Sequence, residues 1–235
     1  MPFNAIIFDL DDTLYPERSY TMSGFRAVGD WSESHVGVPA HECFSELCAI
    51  FEQGHRRDTF DRWLASRSLE PDGRVEHMMA VFRSHDPDIA LDDSVAALLR
   101  RLRDRHSLAL VTDGYLEVQR KKVSALGIEP YFDVIVFSDE LGRDAWKPSR
   151  RPFEAALERL GVQAIEAVYV ADNPAKDFFG ARGAGLATVR VRHDDGVYGH
   201  LEADSPEWAA DAEIGDLSEL EAALESLGAA QEVGS

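Results

Sequence analysis

Hydrophobic positions along this chain follow two rhythms. Ala5-Ile6-Ile7-Phe8 is an unbroken apolar run that ends in Asp9-Leu10-Asp11-Asp12-Thr13, as expected of a strand buried on both faces that delivers acids at its end. From Tyr20 to Val36, and again over 40–53, 60–66 and 75–82, apolar residues recur at three- and four-residue spacing and predict four helices. Breaks fall at Gly37-Val38-Pro39, Pro71-Asp72-Gly73 and Asp86-Pro87-Asp88. From residue 92 onward strands and helices alternate. Helices are predicted over 94–105, 117–126, 152–160 and 174–184, the last three stopped by Gly127, Gly161 and Gly185. Strands are predicted over 108–112, 134–137, 167–171 and 187–191. Residues 192–211 read as an irregular loop, 216–227 as a final helix and the last eight as a frayed tail.

Such alternation specifies a parallel sheet covered by helices, an α/β class of Rossmann-like architecture. The helical stretch interrupts it. Residues 1–16 and 90–235 are therefore expected to form the core, and residues 17–89 an inserted helical bundle.

Composition narrows the partners. Against 24 Lys+Arg stand 43 Asp+Glu in 235 residues, a net charge of −19, which opposes binding to nucleic acid or to an anionic membrane surface. Small molecules are the expected partners, and the protein is expected to be a monomer or homodimer. No apolar run approaches the roughly 20 residues of a membrane span, and no signal-peptide pattern opens the chain, so a cytoplasmic location is expected. Cys43 and Cys48, the two cysteines, lack the spacing of a zinc site and read as reduced thiols.

Four predicted strand ends carry polar groups, and in a parallel sheet those ends share one rim. Asp9 and Asp11 follow the first; their bland alternative is a turn in which Asp11, Asp12 and Thr13 bond nearby amides. An EF-hand is excluded, because Leu14 and Tyr20 stand where it needs Gly and Glu. Thr112-Asp113-Gly114 offers a hydroxyl and exposed amides for an anionic oxygen, or simply a turn. Lys147, before Pro148, can cross the rim to neutralise a phosphate, whereas a lone loop lysine is ordinarily solvated. Asp172-Asn173-Pro174, with Asp177 beyond, can cap a helix whose first residue is Pro174 and can also bind a metal. Taken together, Asp9 and Asp172 suit Mg²⁺. Asp9 can then attack phosphorus while Asp11 serves as acid and base, and Thr112 and Lys147 hold the phosphate oxygens.

In order and spacing these four segments resemble motifs I to IV of the haloacid dehalogenase superfamily. The insert is similar to the C1 cap of its phosphoglycolate-phosphatase-like branch. The resemblance covers essentially the whole chain and implies a Mg²⁺-dependent phosphatase of small phosphate monoesters. Residue by residue, it implies Asp9 as nucleophile and metal ligand, and Asp11 as acid/base and backbone-carbonyl ligand. It implies Asp172 as third ligand, Asp177 as ligand or supporting group, and Thr112, Asp113 and Lys147 as the phosphate-binding set. Ala171 departs from the Gly that many members carry, and four residues separate Asp172 from Asp177.

A phosphomutase, a 2-haloacid dehalogenase and a catalytically silent binding module are the alternatives on this fold. Asp11 together with Asp172 argues against the dehalogenase, and retention of all five polar groups argues against the silent module. In the insert, His55 and Arg56 are candidate substrate contacts, as are Tyr15 and Tyr20 at the hinge near Tyr15-Pro16 and Ile89-Leu91. The bland readings are a solvated face for the first pair and packing for the second. The run Gly180-x-x-Gly183-x-Gly185 ends a helix instead of opening one, and reads as helix stop and close packing.

Overall fold

A computed structural model describes residues 3–193 and 196–233. The chain divides into two compact units, one made of the residues up to Glu17 together with those from Ala90 onward, the other of Arg18–Ile89.

The first unit is built on β1 (Ala5–Phe8), β2 (Ser107–Thr112), β3 (Val134–Phe137), β4 (Ala167–Ala171), β5 (Ala187–Val191) and β6 (Ala212–Ile214). They form one parallel sheet in the order β3-β2-β1-β4-β5-β6. Nine helices run α1 (Glu17–His35), α2 (Ala40–Glu52), α3 (Thr59–Ser66), α4 (Arg74–Ser84), α5 (Asp93–Arg103), α6 (Leu116–Leu126), α7 (Arg151–Leu160), α8 (Asp177–Gly183) and α9 (Leu220–Val233) among the described residues. All four residues of β1 are fully buried, which accounts for the absence of alternation in its sequence. On one face Ile7, Val111, Val136, Phe153, Tyr169 and Phe178 share a core. Because β1 pairs with β2 on one side and β4 on the other, the strand order reverses there, and ligands of such sheets bind beyond the carboxyl ends of the strands at that point.

β3, β4 and β5 have the bounds the sequence predicts. Others shift by up to three residues at their ends, and three differences have a structural reason or add an element. α8 starts at Asp177, not Pro174, because Asn173 and Asp177 close the preceding turn on themselves. The Asn173 side chain accepts from Ala175 N–H at 2.9 Å, and Asp177 Oδ2 accepts from Asn173 N–H at 3.1 Å. Neither Asp172 nor Asn173 caps a helix at Pro174. Beyond the irregular loop, Ala212–Ile214 forms an edge strand too short to show any periodicity. The chain after Leu227, expected to fray, continues as helix to Val233, in keeping with the high helix propensity of Ala229 and Ala230. Residues 194 and 195 of the loop and 234 and 235 of the tail lie outside the described residues.

The Arg18–Ile89 unit has its own core, in which Phe25, Leu47, Phe51, Trp63 and Met78 are packed together. Gly29 is needed for the approach of α2: a Cβ there would stand 2.7 Å from the Ala40 carbonyl oxygen. Cys43 and Cys48 are free thiols, as expected. Among the described residues no helix is long and apolar enough to cross a membrane.

Candidate active site

β1 hands the chain to Asp9, whose N–H donates to Val170 O at 2.9 Å and so prolongs the ladder by one step. Its carboxylate is 2% exposed. Lys147 Nζ, fully buried, lies 2.5 Å from Asp9 Oδ1, 2.9 Å from Asp177 Oδ1 and 2.7 Å from the Tyr169 hydroxyl. Tyr169 in turn donates to Asp177 Oδ1 at 2.9 Å. Asp9 Oδ2 is buried with no hydrogen-bond partner.

Burial pushes the Asp9 carboxyl up to about 6, against the pull of the Lys147 ammonium. Burial and the neighbouring charges of Asp177 and Asp9 push Asp172 up to about 9. Asp177 moves the other way: burial raises it, but Lys147, Lys176 and two hydrogen bonds more than offset that and hold it low. Lys147 is itself held up at about 12, since Asp177 and Asp9 outweigh its desolvation.

Buried oxygens of Asp9, Asp172 and Asp177 lie within 4.8 Å of one another. An all-oxygen set with an orphaned carboxylate oxygen and a third acid driven toward protonation fits a hard divalent cation such as Mg²⁺. Asp177 is the most committed of the three, with Lys147 and Tyr169 on Oδ1 and Asn173 N–H on Oδ2.

Asp11 stands apart from this cluster. Tyr15 OH donates to Oδ1 at 2.5 Å, Lys122 Nζ to Oδ1 at 2.7 Å and Gln119 Nε2 to Oδ2 at 3.0 Å. Burial raises its pKa, yet Lys122 and these hydrogen bonds prevail and keep it below the usual carboxylate value. Glu17, near both Asp11 and Lys122, is pushed up to about 7, first by burial and then by the Asp11 charge.

Thr112, the last residue of β2, is 1% exposed and accepts from Gln119 Nε2 at 2.5 Å. Asp113 does not turn its side chain toward an anion. Its Oδ2 accepts the Lys147 main-chain N–H at 2.8 Å, so that any phosphate contact at this residue falls to its own N–H and the carboxylate serves the Lys147 loop. That loop is pressed against α8 at Gly180, where a Cβ would stand 2.3 Å from the Pro148 carbonyl oxygen. Gly180 therefore packs closely, while Gly185, at φ +90°, stops the helix. Asp12, at φ 54°, accepts from Glu17 N–H and Val197 N–H, each at 2.7 Å, which starts α1 and pins the loop after β5.

The structure thus gathers Asp9, Lys147, Asp172 and Asp177, and places Asp11 and Thr112 on either side of Gln119. Tyr15 is 3% exposed and bonded to Asp11 within the core unit, in line with its packing reading. Tyr20 belongs to the helical unit, with its ring centroid 5.5 Å from Phe82 and 5.0 Å from His85. There too, His55 lies 3.9 Å from Asp58, and Arg56 sits 5.2 Å over the Phe51 ring. Sequence reading missed Tyr169, Gln119 and Lys122. Gln119 and Lys122, three apart on the helix after Thr112-Asp113-Gly114, were the available signal.

Comparison with known proteins identifies the family. A family model described as haloacid dehalogenase-like hydrolase matches residues 3–185. Glyceraldehyde 3-phosphate phosphatase of Methanopyrus kandleri is 33% identical over 226 residues, covering 92% of this chain and 94% of that protein. Phosphoserine phosphatase of Thermus thermophilus is 34% identical over 175 residues, covering 74% and 67%. Among solved structures, a HAD phosphatase from Thermococcus onnurineus superposes with a TM-score of 0.61 at 26% identity, covering 94% of this chain and 98% of that one. With its parallel sheet, its strand-end acids and a family match that spans most of its length, the chain belongs to the haloacid dehalogenase-like hydrolases.

Proposed function

We propose that this hydrolase is a cytoplasmic, Mg²⁺-dependent phosphatase that cleaves small phosphate monoesters through an aspartyl-phosphate on Asp9. The observation that carries the reading is the Asp9 carboxylate itself: buried, with Oδ1 held by Lys147 and Oδ2 without a partner. Asp9 and Asp172 would hold Mg²⁺, with the Asp11 main-chain carbonyl the further ligand that the family resemblance implies and Asp177 steadying Lys147 beside them. Bound there, the cation screens the negative charge of nucleophile and substrate.

Asp9 attacks phosphorus; the new bond runs from its carboxylate oxygen to phosphorus, and the bond from phosphorus to the ester oxygen breaks. Asp11 supplies the proton that the departing alkoxide takes up. In the substrate-free site Asp11 is held as a carboxylate by Lys122, and an arriving phosphate dianion raises its pKa toward that of the acid it must be. In the second half Asp11 takes a proton from water. The resulting hydroxide attacks phosphorus, the Asp9–phosphorus linkage breaks, and inorganic phosphate leaves. Thr112, the Asp113 N–H and Lys147 hold the equatorial oxygens while charge redistributes, which is where most catalysis of phosphoryl transfer lies.

The Arg18–Ile89 unit serves as the cap that restricts substrates to small molecules, with His55 and Arg56 its candidate contacts. Relatives named for glyceraldehyde 3-phosphate and phosphoserine support testing three-carbon phosphate esters first. Phosphate release from glyceraldehyde 3-phosphate, phosphoserine, phosphoglycolate, nucleoside monophosphates and an aryl phosphate, with Mg²⁺ and with chelator, tests the reading. Metal-dependent release that is lost in Asp9→Asn supports it. Substantial turnover by a folded Asp9→Asn protein would overturn the nucleophile.

A further inference from the structure

We propose that Gln119 is a positioning residue that fixes the direction of the Thr112 hydroxyl proton and ties that hydroxyl to Asp11; the inference rests on the phosphatase reading above. Gln119 is 1% exposed, so the partners of its side-chain amide are protein groups. Its Nε2 lies 3.0 Å from Asp11 Oδ2 and 2.5 Å from Thr112 Oγ1.

A carboxylate only accepts hydrogen bonds, so the amide edge facing Asp11 must be the NH₂ group, which fixes the orientation of the amide. That group has two hydrogens, and the two distances use one each. Thr112 Oγ1 is thereby an acceptor from Gln119 and must direct its own hydrogen elsewhere. At the end of β2, where a phosphate oxygen is to be held, that hydrogen becomes the donor to the anion. A Thr112 without this partner can instead rotate and spend its proton on Asp11 or on a nearby carbonyl.

The site is shaped for this side chain. Gly114, at φ +133°, leaves room that a Cβ would take, since it would stand 3.3 Å from both Cγ and Cδ of Gln119. The other oxygen of Asp11 is held by Lys122 and Tyr15, so the two carboxylate oxygens have separate anchors. Gln119 is the one that also reaches the phosphate-binding residue.

The test is a double-mutant cycle on the full chain with Mg²⁺, read as the inhibition constant of inorganic phosphate and as kcat/KM for an aryl phosphate. Gln119→Leu should weaken phosphate about tenfold, the scale of one hydrogen bond to a charged group. Thr112→Val should do the same. Gln119→Leu added to Thr112→Val should cost less than about twofold more, because one interaction cannot be removed twice. Gln119→Glu keeps the size of the side chain and serves if the leucine variant does not fold. Its carboxylate takes the Thr112 proton, so phosphate should weaken at least as much, again with no further loss from Thr112→Val. Unchanged phosphate binding in these variants, or the same loss with and without the Thr112 hydroxyl, overturns the role of Gln119 alone. A wild-type protein that neither releases nor binds phosphate overturns the phosphatase reading, and this inference with it.

Discussion

The Asp113 carboxylate accepts the main-chain N–H of Lys147 at 2.8 Å, so the loop that follows β2 sets the position of the loop that follows β3. The lysine that grips Asp9 is placed by a residue that need touch neither substrate nor metal with its side chain. Replacing Asp113 with Ala should lower kcat/KM on the order of 10²-fold, the cost of a misplacement of about 1 Å. Asp113→Asn, which keeps an acceptor oxygen, should recover much of it. Steady-state kinetics on the two variants checks this.

Lys147 lies between two buried acids, 2.5 Å from Asp9 and 2.9 Å from Asp177. Lys147→Met should abolish turnover and cost about 3–5 kcal/mol of stability, since it leaves buried charge uncompensated. Urea denaturation in chelator measures the loss. Mg²⁺ should restore part of the stability and none of the turnover.

Without a divalent cation, Asp172 at about 9 and Asp9 at about 6 hold protons more tightly folded than unfolded, where each sits near 3.8. A raised acid favours the protonated folded state, so this cluster loses stability as pH rises through the interval from about 4 to about 9. Mg²⁺ competes with those protons, and its affinity should climb over the same interval. Melting curves with Mg²⁺ and with chelator at pH 6, 7 and 8 should show a gap that widens with pH. A constant gap would remove these acids from the metal site.

Lys122 is the main charge that holds Asp11 low against the effect of burial. Lys122→Met should therefore move the basic-catalysis limb of the kcat profile to higher pH, because Asp11 must lose its proton before it can take one from water. A profile whose limb stays in place, with only the plateau lowered, would assign Lys122 to packing.

Much of the site can be read along the chain because strand ends in a parallel sheet converge by topology, and Asp9, Thr112 and Asp172 each follow an apolar run. Side chains that reach the site from inside an element are harder to see. Tyr169 sits within β4, where its ring satisfies the apolar pattern while its hydroxyl serves Lys147 and Asp177. Gln119 and Lys122 look like the solvent face of a helix, yet they are 1% and 4% exposed. Asp113 shares a segment with Thr112 but faces the other way, and sequence carries no sign of side-chain direction in a turn. The start of α8 was hidden because Asn173 and Asp177 satisfy each other's loop, which Pro174 disguises as a helix start.

The sheet order has a consequence for how the site comes into being. Ala5 pairs with Ser107 on one side and with Ala167 on the other, so β1 is held between two strands that the ribosome makes much later. Asp9 emerges early and waits. Its position is settled only when β4 is available to close the second edge, as expected where distant pairings dominate. A nascent chain that ends before β4 carries Asp9, Asp11 and Lys147, but lacks Asp172, Asp177 and the strand that holds the second edge of β1. On the proposed mechanism, the sheet must close around β1 before Asp9 can act.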